Sequence, residues 1–178
     1  MGTITSNFFI SLDGVVESPD QWHFPYFNDE MGEVVGRGTE RFRAFLMGRV
    51  LYDEWAEYWT TEGEGEFSEY INNIPKYVVS NTLTEAKWND TTLLSGDVAS
   101  QLRDIKRDNE GDIRMSGSAT TVRWLLANGL LDELDLLLHP IVVGHGQRLF
   151  EDDATYPLKL VNSTALTTGV LHLTYVPE

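Results

Sequence analysis

Cysteine is absent from the 178-residue chain, so disulfides, thiolate metal sites and cysteine nucleophiles are all excluded. That absence suits a reducing, cytoplasmic setting. Basic residues are scarce: 13 Lys and Arg stand against 28 Asp and Glu, a formal net charge of −15. Nucleic acid and anionic membranes are bound through clustered Lys and Arg, so neither is expected as a partner. Long apolar runs are missing too. The first, ending at Ile10, follows no positive charge and is broken by Ser11 and Asp13, which leaves it too short for a signal peptide or a membrane span. His23, His139, His145 and His172 are scattered with no HExxH or other paired-ligand spacing, so no metal is expected. One consequence bears on function: a polyphosphate ligand of so acidic a chain must find its few cations locally, which gives weight to an Arg beside a Gly.

What is present is enough for one core. With 42% hydrophobic residues the chain can bury roughly 70% of its unfolded surface, and residues 1–178 read as a single domain without linker or repeat. Thr3 to Ile10 is β-branched and aromatic, a strand ended by Asp13-Gly14. Asn28-Asp29-Glu30 starts a helix expected to reach about Phe42 despite Gly32, Gly36 and Gly38. Ala44 to Met47 reads as a buried strand that opens a helix from Val50 to Tyr58, and Thr60 to Glu66 as an acidic loop. Strands are expected at Pro75–Ser80, Thr91–Leu94 and Ile113–Ser116, with helices at Val98–Arg107, capped by Asp97, and Thr120–Asn128, closed by Gly129. Leu134 to Val143 reads as a long strand, and Leu158–Leu166 with Val170–Val176 as a hairpin across Thr168-Gly169. Strand-turn-helix-strand order implies parallel pairing with right-handed crossovers. The expected fold is therefore α/β: a mostly parallel mixed sheet of about eight strands with an antiparallel C-terminal edge.

Open α/β sheets bind ligands at the carboxyl ends of their strands. Two turns there have suitable chemistry. Gly48-Arg49 follows a buried strand and opens a helix, where backbone N–H groups and the positive helix end favour an anion. Gly117-Ser118-Ala119-Thr120 is a second strand-to-helix turn whose small residues admit a pyrophosphate closely, although it lacks a full GxGxxG pattern.

Five segments in this order resemble the dihydrofolate reductase-like family, especially the branch that includes the C-terminal reductase domain of riboflavin biosynthesis. They are Ser11 to Gly14, Leu46 to Arg49, Tyr77 to Ser80, Ser116 to Ala119, and Gly129 to Phe150. The resemblance implies a three-layer fold, NADPH as cofactor and hydride delivery to a small flat heterocycle of pterin or pyrimidinone type. It makes Gly48 and Arg49 the phosphate turn, Gly117, Ser118, Ala119 and Thr120 the pyrophosphate site, and Ser80, Asn81 and Thr82 the holder of the ribose and its 2′-phosphate. With no acid immediately at that strand end, NADPH is favoured over NADH, though Glu85 keeps the question open. Two departures stand out. Leu51 occupies the place of a phosphate-binding threonine, and Arg114-Met115-Ser116 stands where riboflavin-type reductases carry a glutamate, which argues against the riboflavin substrate itself.

At the substrate end, Trp22, Phe24, Tyr26 and Phe27 offer an aromatic wall for a flat ring. Asp29 is the nearest match to the family's pterin-orienting carboxylate, and Asp13 is the other catalytic candidate; both compete with structural roles, as a cap and as a turn residue. The alternative to an enzyme is an NADPH- or flavin-binding module without turnover. A homodimer is expected because the family commonly pairs and because Leu158, Leu160, Leu171 and Leu173 alternate along the last two strands.

Overall fold

The computed structural model describes residues 1–37, 39–108 and 111–178. Its strands are β1 Ile4–Ser11, β2 Phe42–Gly48, β3 Lys76–Val79, β4 Thr91–Leu94, β5 Asp112–Met115, β6 Glu133–His139, β7 Leu158–Ala165 and β8 Leu171–Pro177. The helices are α1 Asp29–Gly36, α2 Arg49–Thr61, α3 Glu66–Asn73, α4 Val98–Asp108 and α5 Ala119–Ala127. One sheet runs β4-β3-β2-β5-β1-β6-β8-β7. Strands β1 to β6 pair in parallel, and β8 runs antiparallel to both β6 and β7. This is the mixed sheet expected from the sequence.

Alternation along the strands divides the side chains between two helical layers. Ile4, Phe8 and Ile10 of β1 join Ala44, Leu46, Ile113, Met115 and Leu134 in the core under α4 and α5. Phe45, Met47 and Val78 face the other way, against Tyr52 of α2 and Ile71 of α3. Leu137 of β6 packs with Met31 of α1 on that same second face. Each fully buried Ile, Leu or Phe contributes roughly 1.5–3 kcal/mol, so both layers are firmly held.

Three stretches depart most from the sequence expectation. The helix begun at Asp29 stops at Gly36, and Phe42 starts β2 instead of ending α1; Gly38 lies outside the described residues. Glycines in the last turn cannot compete with the ladder that β2 makes with β5 and β3. The acidic loop is shorter, because α2 continues to Thr61 and α3 follows at Glu66. Phe67, Tyr70, Ile71 and Ile74 recur at helical spacing in and just after α3, and they pack on the Phe45 layer. Finally, β6 ends at His139, since Pro140 cannot donate to a ladder and Val142 is left exposed. The terminal hairpin forms across Thr168-Gly169, with Gly169 at φ +87°. No helix among the described residues is long and apolar enough to cross a membrane.

Candidate active site

The Gly48 and Ser118 turns come together at the carboxyl ends of β2 and β5. Gly48 is the residue before α2, and a Cβ placed on it would sit 3.0 Å from Thr121 Oγ1 and 3.5 Å from Ser118 Oγ. Ser118 caps α5, its Oγ accepting from the Thr121 N–H at 3.3 Å. Gly117 beside it has φ +88°, a conformation that side chains resist. Two helix N-termini therefore converge on one spot, which favours an anion twice over.

A cleft opens on each side of this junction. The larger, about 600 Å³, is lined by Asn7 and Phe9 of β1, Glu17 of the following loop, Leu51 and Trp55 of α2, and the Ser116–Ala119 turn. The smaller, about 310 Å³, is lined by Asn81, Gly96, Thr120, Thr121 and Trp124. Gly117, Ser118 and Ala119 thus line one cleft and Asn81 and Thr120 the other, with Gly48 at the junction beside Ser118 and Thr121. Arg49 sits at the start of α2, where its Nη1 is paired with Asp53 Oδ2 at 2.9 Å and both side chains are about half exposed. Ser80 is buried and already occupied: its Oγ accepts from the N–H groups of Thr82 (3.1 Å) and Leu83 (3.0 Å), which makes it the anchor of its own turn. Thr82 lies beside it, with its Oγ1 3.4 Å from Ser80 Oγ.

Asp13 is committed to the scaffold. Its carboxylate accepts from Ser11 Oγ (2.6 Å) and from the N–H groups of Val143 (3.0 Å) and Gly144 (2.8 Å), tying the loop after β1 to the loop after β6. These bonds, that from Ser11 foremost, pull its pKa from 3.8 down to about 2. The folded value lies below the unfolded one, so the stabilisation is present above pH 3.8 and disappears as pH falls through 2. Melting temperatures of wild type and Asp13→Asn should accordingly differ at neutral pH and converge on acidification through that window. A difference that persists at the acid end would mean that the carboxylate charge is not what holds the two loops.

Asp29 takes the first position of α1 and is exposed, whereas Asn28 is the cap, its Oδ1 accepting from the Met31 N–H at 3.0 Å. Neither Asp13 nor Asp29 lines the larger cleft. The expected aromatic wall is also dispersed: Trp22 is buried with its Nε1 on Glu17 O, while Phe24 and Phe27 are 63% and 44% exposed. What these aromatics surround is a pair of buried histidines. His23 stacks on Phe9 with ring centroids 4.5 Å apart, and His139 meets Trp22, Tyr26 and Phe9 edge-on. Burial lowers the pKa of both rings. Sequence reasoning treated these histidines as scattered because 116 positions separate them; the signal available was that His139 closes one strand while His23 follows another. Asn7, Phe9 and Trp55 were missed as cleft residues. Alternation along β1 puts Asn7 and Phe9 on one face, and Leu51 and Trp55 stand four apart on α2.

The family model of the RibD C-terminal domain matches residues 2–172. The uncharacterized protein YyaP of Bacillus subtilis is 30% identical over 172 residues, covering 93% of this chain and 90% of its own length. Among solved structures, a putative riboflavin biosynthesis protein from a Shewanella species superposes with a TM-score of 0.80 at 21% identity, over 99% of both chains. Dihydrofolate reductase from Enterococcus faecalis, solved in complex with NADP(H), superposes with a TM-score of 0.66 at 12% identity, over 99% of this chain and 97% of its own.

Proposed function

Because the chain belongs to the RibD C-terminal domain family, we propose that it is an NADPH-dependent reductase acting on a small flat heterocycle of pterin or pyrimidinone type. The observation that carries this reading is the junction of the two helix N-termini at Gly48 and Ser118, with a cleft on either side. Residues present fit the cofactor in parts. The backbone at Gly48, Gly117 and Ser118 would hold the pyrophosphate, Asn81 and Thr120 with the Trp124 ring would hold the adenosine end, and Asn7 and Phe9 would border the nicotinamide end. NADPH supplies the hydride. The chain supplies alignment: Leu51, Phe9 and Trp55 give the larger cleft apolar walls that exclude water, and the Asp13 clamp fixes the two loops beside it. Titrating NADPH against the fluorescence of the five tryptophans tests binding. Following its oxidation with dihydrofolate, pterins and pyrimidinones tests turnover, and the absence of NADPH binding would sink the reading.

A binding module without turnover is the second reading, favoured by the placement of Asp13 and Asp29 outside the larger cleft. Oxidation that never exceeds one equivalent of cofactor with any of these substrates would establish it.

Arg49 is the proposed ligand of the 2′-phosphate. Its exposed pair with Asp53 is worth little, so the guanidinium is free to turn to a dianion. Arg49→Ala should weaken NADPH binding about tenfold, as expected for one charge-assisted hydrogen bond, and leave NADH nearly unchanged. Equal losses for the two cofactors would remove Arg49 from that role.

The homodimer is proposed along the sheet edge. β7 is the edge strand beside β8, and Leu160, Val161 and Leu171 are 48%, 51% and 38% exposed there. The four leucines share one face, since Leu158 and Leu160 stand opposite Pro177 and Tyr175, in line with Leu173 and Leu171, and Leu158 packs on the core from it. Light scattering should give twice 20.2 kDa; the mass of one chain at micromolar concentration would rule the pair out.

A further inference from the structure

Arg114 on β5 is a buried cation with no carboxylate in direct contact among the described residues. It is 8% exposed on the sheet face beneath α1, and its guanidinium donates to Val35 O at 3.0 Å, Asn7 Oδ1 at 3.4 Å and Thr39 Oγ1 at 3.4 Å. All three acceptors are neutral, and two are at the long limit of a hydrogen bond. Among the described residues, no carboxylate forms an ion pair with it within 4.0 Å. A guanidinium does not give up its proton in a protein interior, and buried charges are ordinarily paired.

Arg114 lines a cavity of about 50 Å³ together with Arg37, Arg41, Asp135 and His172. Arg41 is committed to Glu133 at 2.8 Å and Asp112 at 3.5 Å. Asp135 shares the cavity without touching Arg114, its Oδ1 accepting from Thr174 Oγ1 at 2.6 Å and lying 3.2 Å from His172 Nε2, and its charge acts on Arg114 only at longer range. Three arginines and one carboxylate thus meet in one wall of a chain whose net charge is −15. The larger cleft has the opposite lining, with Glu17, Asp20 and Glu54 and no Lys or Arg. Asn7 borders both spaces. Away from the Gly117–Ser118 turn, a negative group on a ligand of that cleft is therefore repelled by Glu17, Asp20 and Glu54 and drawn past Asn7 to Arg114. Size narrows the group further. At about 50 Å³ the cavity suits a compact group of a few heavy atoms, such as a carboxylate.

We propose that this cavity is a carboxylate subsite, in which Arg114 pairs with the carboxylate of a substrate whose ring lies in the adjoining cleft. The link to a substrate rests on the reductase reading; the subsite itself does not. The planar fork of Arg114 matches a carboxylate edge to edge, and Arg37, exposed in the same wall, adds to the positive field.

The test is calorimetric titration of the full chain with sodium acetate, with acetamide and inorganic phosphate as comparison probes, all at one ionic strength set with chloride. Acetate should bind saturably, and at least tenfold more tightly than either acetamide or phosphate. Arg114→Gln should raise the acetate Kd at least tenfold, and Arg37→Gln, at an exposed position that tolerates change, about two- to threefold. Acetamide binding as well as acetate would make this a neutral polar pocket, and phosphate binding better would make it a site for larger anions; either result overturns the proposal, as does unchanged affinity in Arg114→Gln. If Arg114→Gln fails to fold, the order among the three probes on wild type decides alone. NADPH is titrated separately: its failure to bind sinks the reductase reading and leaves the acetate result standing, and the converse holds equally.

Discussion

Gly48→Ala is expected to raise the Kd for NADPH about 100-fold or more while the fold survives. The backbone at Gly48 has φ −82° and ψ 166°, which alanine adopts without strain. Stability is thus not where the cost falls. The added Cβ would sit 3.0 Å from Thr121 Oγ1 and 3.5 Å from Ser118 Oγ, in the gap where the two helix N-termini meet. A pyrophosphate held there needs the backbone N–H groups within hydrogen-bond reach, and a methyl group in the gap holds it off both turns. Loss of two hydrogen bonds to a charged group, each roughly 1.5–3 kcal/mol, gives a factor of 100 or more. A melting curve near wild type combined with lost fluorescence quenching by NADPH is the expected pair of results. Adding Thr121→Ala relieves the contact with the new Cβ but leaves the methyl in the path, so binding should stay lost. Undiminished NADPH affinity in Gly48→Ala would move the pyrophosphate away from this junction.

The parts of this site that were legible in the sequence are those where backbone geometry and local residue type coincide. Gly48, Gly117 and Ser118 announce themselves because small residues between a strand and a helix have few other reasons to be there. The strands and most helices were legible for a similar reason, since β1, β4, α4 and α5 carry their period and their caps within one segment. Legibility fails where the deciding contact is remote. Asp13 looks like any Asp-Gly turn, and only the fold reveals that its carboxylate holds Val143 and Gly144, 130 and 131 positions away. Asp29 looks like a catalytic match by position, yet the turn of α1 leaves it exposed while its neighbour Glu30 binds Thr167 across the domain. Arg114 reads as a departure from a family pattern, and its meaning depends on Asn7 and Val35, which no local rule brings to it. The helix α3 is a different case. Its spacing was present in the sequence, but the glycine-rich acidic run before it and its short length of 8 residues hid the period.

Tyr52→Phe should lower the melting temperature by roughly 5–10 °C, although it removes a single oxygen. Tyr52 on α2 is 3% exposed, and its Oη accepts from two backbone donors, the N–H of Lys87 at 3.0 Å and of Trp88 at 2.9 Å. The hydroxyl thereby caps the loop between β3 and β4 from outside it. Phenylalanine fills the same space apart from that atom, so packing is kept and the two donors lose their partner. Lys87 is exposed and its N–H can turn to water, but Trp88 is 4% exposed and its N–H cannot. A buried donor left without a partner costs about 1–3 kcal/mol, and the weakened second one brings the sum to roughly 2–3 kcal/mol. For a domain of this length each kcal/mol moves the melting temperature by about 2–4 °C. The effect should spread, because Trp88 Nε1 donates to Asn72 Oδ1 at 2.7 Å and Asn72 Nδ2 donates to Trp59 O at 3.0 Å, linking the loop to α3 and α3 to α2. Hydrogen exchange should therefore quicken at Lys87, Trp88 and the end of α3 while the Gly48 turn, one turn of α2 away and packed against Ser118 and Thr121, keeps its protection and its NADPH affinity. A melting temperature within 1–2 °C of wild type would mean that water replaces the tyrosine oxygen at little cost and that the loop is held by the Trp88 ring alone.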